Sequence, residues 1–209
     1  MIYFILAYIV TIIVHELAHL ISAKLCGVEV EIFSIGFWKP YLSKKIKGIE
    51  FRITPFLVGG YCALKGENSK EPNGFLVSRY RNKVIILLAG ITVNLIIALL
   101  SFLYLYKSIF VGIHYSNLVI KAIFTKDLWL TKILIDYNNL FVFYLALFNY
   151  FSFLFNILPI PALDGGQAVY VLLEKIFKER FVEIYNRINT ISFSLLMLLQ
   201  IIVIVWLFI

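Results

Sequence analysis

The chain has 209 residues, 62% of them hydrophobic and 15% charged, with a mean hydropathy of +0.93. Soluble domains run at about 45–50% apolar and about 25% charged, so composition excludes an ordinary soluble domain. It equally excludes a disordered chain, which needs low hydrophobicity. The net charge of +7 on so apolar a background points to a membrane rather than to nucleic acid.

Four long apolar stretches stand out, at about residues 2–25, 84–106, 140–158 and 191–209. Each has roughly the 20 residues that a ~30 Å hydrocarbon core demands. The first lacks a basic leader and an A-x-A site, and is read as a span rather than a cleaved signal peptide. Between the first two stretches, Val28–Ile32 and Gly48–Thr54 alternate apolar and polar residues, the period of a β-strand. Trp38-Lys-Pro40 and Lys44-Lys45-Ile-Lys47 supply turn and charge between them, and Pro55 and Gly59-Gly60 punctuate the end of the second strand. Residues 28–64 are therefore expected to form a small β-structure at the membrane surface. Ile109–Phe124 reads equally as an interfacial helix or a fifth span. Residues 165–187 are expected to form a short amphipathic helix before the last span.

The expected fold class is thus an all-α polytopic membrane protein, with about four transmembrane helices and a small membrane-associated β-structure between the first and second. Residues 1–170 would form the core, and 171–209 an amphipathic helix plus a C-terminal span. Residues 27–83 carry ten Lys and Arg, 107–139 carry four and 162–187 carry four. With four spans and Lys24 included, fifteen basic residues lie on one side against four on the other. The positive-inside rule makes the richer side cytoplasmic. Cys26 and Cys62 form no disulfide framework and read as two reduced thiols.

The first span contains His15-Glu16-Leu17-Ala18-His19. Histidines at i and i+4 share a helix face, so both imidazoles can meet one metal ion, with Glu16 beside them as a base. An ionisable residue at mid-membrane costs about 2.5–3.5 kcal/mol on lenient scales, and a bound cation would offset that cost. Catalytic zinc usually takes three protein ligands plus water. The stretch Asn156-Ile-Leu-Pro-Ile-Pro-Ala-Leu-Asp164-Gly165-Gly166 offers the third. Its prolines forbid a regular helix, and irregular backbone at membrane depth belongs beside protein or a watery cavity. Asp164 reads either as a carboxylate ligand or as the N-cap of the next helix. In the second span, Gly90 permits close helix contact. Asn94 reads either as a donor to a substrate oxyanion or as interhelical glue. His114 is incidental.

These elements together resemble the site-2 protease family of intramembrane zinc metalloproteases, peptidase family M50, over roughly residues 8–170. His15-Glu-Leu-Ala-His19 matches the family's first motif. Asn156 through Gly166 matches its N-x-x-P-x-P-x-L-D-G-G motif, and Gly90 and Asn94 match its middle element. Phe56-Leu-Val-Gly-Gly60-Tyr61 resembles the β-segment before it. The resemblance implies one Zn2+ bound by His15, His19 and Asp164, Glu16 as catalytic base, and Asn94, Asn156 and Gly90 lining the substrate cleft. Ala18 stands where the family often has Gly, and Ile91 where a Pro often follows the middle Gly. No PDZ-like or CBS-like domain fits the length, so a minimal form is expected.

The implied activity is hydrolysis of a peptide bond in or near a transmembrane segment, as in regulated intramembrane proteolysis. The implied partners are a transmembrane protein or membrane-bound peptide substrate and the lipid bilayer, without nucleic acid. The expected location is the cell membrane, multi-pass, with the active site nearer the cytoplasmic face. An extended substrate would pair with an exposed edge of the β-structure, with Gly48–Thr54 the strand expected to matter. The alternatives are a membrane zinc protease that trims prenylated or signal-peptide tails, whose third ligand is typically Glu, and a non-catalytic scaffold or transporter. A transporter would favour paired broken helices in inverted repeats, and only one broken helix is evident.

Overall fold

The computed structural model describes residues 1–67, 69–127, 129 and 138–208. Its helices are α1 (Ile2–Leu25), α2 (Tyr80–Tyr106), α3 (Ile109–Phe124), α4 (Leu140–Asn156) and α5 (Asp164–Phe208). Its strands are β1 (Val30–Ile35), β2 (Leu42–Ile46), β3 (Ile49–Ile53) and β4 (Gly60–Leu64). Among the described residues, α1 and α2 are long and apolar enough to cross a membrane. The expectation of four spans is therefore met by two helices. The 17-residue α4 and 16-residue α3 give about 25 Å of helix at 1.5 Å per residue, short of a ~30 Å core. The side chains at 200, 201 and 203–209, within the expected last span, lie outside the described residues.

Helices α1, α2 and α4 pack on one another. Small buried residues allow the close approach: Ala7 and Ala23 on α1, Gly90 and Ala98 on α2, Ala146 on α4. Helix α3 docks on α2, where a Cβ at Gly112 would collide with the Phe102 ring. Helix α5 does not run straight. The Tyr170 and Tyr185 rings stack with centroids 3.8 Å apart, whereas fifteen residues of straight helix span about 22 Å. The chain doubles back between them, and Tyr185 donates to Pro161 O at 3.0 Å. The first arm packs Ala168 and Val171 against Leu87 of α2. The expected amphipathic helix and C-terminal segment are thus two arms of one reversing helix, and residue 170 falls inside the first.

The sheet has the order β2-β3-β1-β4, with β1 and β3 parallel and both outer pairs antiparallel. Phe33, Ile49 and Leu64 pack from its face against Leu20 and Ala23 of α1 and Ile86 of α2. This corrects the sequence reading in one place. Lys44 and Lys45, assigned to a turn, lie in β2, and the turn is Lys47-Gly48, both at positive φ, the geometry of a two-residue hairpin loop. Within the expected 28–64 β-structure, Gly59-Gly60 is followed by a further strand. Gly60 opens β4, the strand that borders the histidines' helix.

Candidate metal centre

Helix α1 brings His15, Glu16 and His19 to its buried side. Helix α4 ends at Asn156, and a turn closed by Leu163 N–H on Ile160 O leads into Asp164, the first residue of α5. Gly165 and Gly166 make that return possible. A Cβ on Gly165 would stand 2.6 Å from Ile157 O, and one on Gly166 would collide with Ile160 O. The result places Asp164 Oδ2 at 3.0 Å from His15 Nε2 and 3.2 Å from His19 Nε2. The two Nε2 atoms are 3.3 Å apart. Among the described residues, these three form the one group of metal-ligating side chains close enough to share an ion.

The three atoms fit a cation. The edges of a tetrahedron with ligand bonds of about 2.0–2.1 Å measure about 3.3 Å, close to the observed separations. Asp164 Oδ2 is buried without a hydrogen-bond donor of its own, and such an atom calls for a positive partner. His19 Nδ1 lies 2.8 Å from Ile86 O. A carbonyl only accepts, so Nδ1 carries the proton and the Nε2 lone pair points at the shared centre. His15 Nδ1 lies 3.0 Å from the side-chain amide of Asn94.

Helix α2 provides all of these supports at four-residue spacing. Ile86 meets His19, Asn94 meets His15, and Gly90 lies between them. A Cβ on Gly90 would stand 2.5 Å from His15 Cε1 and from His19 Nε2, so the position tolerates no side chain while both rings hold their places. Asn94 is fully buried. Its amide also lies 2.6 Å from Ser152 Oγ on α4. Asn156 donates to Ser152 O at 3.1 Å and to Ser152 Oγ at 3.3 Å, rather than touching the three convergent ligands. His114 stands on α3 beside Tyr115, apart from the centre.

A cleft of about 430 Å³ opens beside Glu16, His19 and Asp164, bordered by β4, by Gln167 of the first arm of α5 and by Phe193 of the second. Gly60 packs directly on Glu16, since a Cβ there would stand 2.8 Å from Glu16 Cγ. The parity of β4 follows from its end bonds. Gly36 N–H donates to Gly59 O, and Lys65 N–H donates to Glu29 O. Odd-numbered residues therefore face β1, while Gly60, Cys62 and Leu64 turn their backbone groups outward. Leu64 N–H is taken by Glu67 Oε1 at 2.7 Å, leaving Gly60 and Cys62 to the cleft. Burial, reinforced by the Glu16 and Glu67 carboxylates, pushes the Cys62 thiol up to about 12.

Sequence reasoning passed over Ser152, although Asn149, Ser152 and Asn156 form a polar stripe at helical spacing in an otherwise apolar segment. It also passed over the Ile86 carbonyl, which no side-chain pattern reveals.

Two histidines and an aspartate joined across distant helices, with a glutamate beside them, define a metallopeptidase type of centre. The model of peptidase family M50 matches residues 3–199, and the chain belongs to that family. Three curated proteins described as "putative zinc metalloprotease" are similar to it. The Chlamydia pneumoniae protein is 38% identical over 124 residues, covering 51% of this chain and 20% of that protein. The Borreliella burgdorferi protein is 35% identical over 136 residues, covering 59% and 31%. The Clostridium acetobutylicum protein is 38% identical over 100 residues, covering 47% and 30%. The matched regions thus make up a third or less of those relatives' lengths.

Proposed function

We propose that this chain is an intramembrane zinc metalloprotease that hydrolyses a peptide bond in or near a transmembrane segment of a membrane protein or membrane-bound peptide. The observation that carries the reading is the convergence of His15, His19 and Asp164 beside a buried glutamate, at the foot of an open strand edge. His15 Nε2, His19 Nε2 and an Asp164 carboxylate oxygen would hold one Zn2+, which when bound acidifies water and polarises the scissile carbonyl. Glu16 takes the proton of the attacking water and delivers it to the leaving amine. The apolar helices around these groups keep bulk water from the reacting atoms.

A helical peptide hides its carbonyls in its own hydrogen bonds, so the substrate must arrive extended. Gly60 and Cys62 turn backbone donors and acceptors into the cleft and suit strand addition. The Gly48–Thr54 segment named from the sequence is not this edge, because β3 lies between β2 and β1 and both its sides are paired. The excess of Lys and Arg in residues 27–83 supports a multi-pass protein of the cell membrane with the centre nearer the cytoplasmic face.

The test is metal analysis of the purified full chain, with cleavage of a model transmembrane substrate by wild type and Glu16→Gln. The expected result is about one zinc in both and a loss of at least a thousandfold in cleavage for the variant, the scale expected for a group without which the water is not activated. Full cleavage by Glu16→Gln would refute the assigned base. A wild-type protein that takes up no metal would favour a non-catalytic scaffold or transporter.

A further inference from the structure

The two histidines are held by unlike means. His19 Nδ1 faces a main-chain carbonyl, which no substitution on α2 removes. His15 Nδ1 faces the amide of Asn94 at 3.0 Å, and an amide offers an acceptor at one end and a donor at the other. An imidazole that lends its Nε2 lone pair to a cation keeps its proton on Nδ1 and needs an acceptor there. Only the Oδ1 end of Asn94 serves, and the ends of an amide are assigned by the network around them.

We infer that Ser152 orients Asn94, and Asn94 orients His15, making Ser152 and Asn94 positioning residues of the metal centre. The inference rests on the proposed reading of His15 as a ligand. In the structure the amide end that faces the ring is Nδ2, 2.6 Å from Ser152 Oγ and 3.0 Å from His15 Nδ1; exchanging the two ends puts Oδ1 in that place. Ser152 Oγ also receives Asn156 Nδ2 at 3.3 Å. With Asn156 donating to its oxygen, the Ser152 hydroxyl turns its own hydrogen to Asn94. The direction of donation then runs without conflict: Asn156 N–H to Ser152 Oγ, Ser152 O–H to Asn94 Oδ1, and His15 Nδ1–H to the same Oδ1. Asn94 is fully buried, so no solvent competes for that oxygen. Asn149 provides a contrast. It is equally buried, but its amide serves Thr11 Oγ1 and Leu145 O and touches no ring.

The test reads metal affinity of the purified full chain by competition with a chromophoric zinc chelator, and the visible spectrum of the Co2+ form. Partners of ligating histidines are typically worth 10–100-fold in metal affinity. Asn94→Leu is expected to weaken Zn2+ at least tenfold and to alter the Co2+ bands. Asn94→Asp, which keeps an acceptor, holds affinity within about threefold of wild type. Ser152→Ala weakens it by about threefold to tenfold, and Ser152→Thr restores it. Asn149→Leu leaves affinity and spectrum unchanged. Undiminished zinc affinity in Asn94→Leu, or equal losses in Asn94→Leu and Asn149→Leu, overturns the inference alone. Wild-type protein that binds neither ion overturns it together with the reading beneath it.

Discussion

The two edges of the sheet are built in opposite ways. All five residues of β2 are exposed, and Lys44 and Lys45 stand in its middle. Charge on a bare strand edge discourages pairing with another chain. β4 reads Gly60-Tyr-Cys-Ala-Leu64, without a charge. Its open side is not turned to solvent at large but lies along the cleft beside Glu16. An uncharged edge is a hazard unless a partner is meant to use it, and the guarded edge is the one far from the histidines. The sheet thus spends its protection where pairing would be accidental.

Glycine substitutions separate the two edges most sharply. Gly60→Ala pushes a methyl group to 2.8 Å from Glu16 Cγ and from Ser34 O, displacing either Glu16 or the strand. Cleavage should fall by a hundredfold or more, a shift of about 2.7 kcal/mol, with zinc content retained. Gly48→Ala in the β2–β3 turn meets nothing within 4 Å, although φ is +88°. It should cost about 1 kcal/mol of stability and leave cleavage unchanged. Equal activity losses in the two variants would break the contrast.

Proline provides the next comparison. Cys62 and Lys45 both turn their N–H groups away from the sheet, so proline at either removes no ladder bond. Cys62→Pro should lower cleavage roughly thirtyfold, from one lost backbone hydrogen bond and a steric block to the incoming strand. Lys45→Pro should leave it within about twofold. A Cys62→Ala control separates backbone from thiol and should keep nearly full activity. The smallest effect is chemical. With its thiol pushed up to about 12, Cys62 is protonated at pH 8, and only the thiolate alkylates. Its alkylation, followed by mass spectrometry, should be at least tenfold slower than that of an ordinary cysteine at pH 8. It should continue to accelerate through pH 11, where ordinary thiols have levelled off.

The centre was legible in the sequence for a definite reason. Two histidines four apart and an aspartate after a proline-broken stretch are costly in an apolar chain, and they stand out because nothing around them is polar. The β-structure was legible only where one face is buried. β3 alternates because Ile49 and Phe51 pack under α1. β2 has no buried face, so its lysines read as a turn. β4 has no alternation because Tyr61 and Ala63 are half-buried on the face opposite Leu64. The reversal of α5 left no mark in composition, since it depends on Tyr185 reaching back to Pro161 and stacking on Tyr170. Ile109–Phe124 is helical, but at 16 residues it matches the interfacial reading better than the spanning one. Most of the segment after it, residues 128 and 130–137, lies outside the described residues.

The supports for both rings come from one face of α2, at Ile86, Gly90 and Asn94, like teeth on a rack. Sliding that rack by a single turn, about 5.4 Å, would bring another main-chain carbonyl to His19 but would take the Asn94 amide from His15. It would also drive a bulkier residue into the gap that Gly90 keeps open. Register is therefore read by the side-chain positions Gly90 and Asn94, and the centre depends on the packing of α1 on α2 through those two.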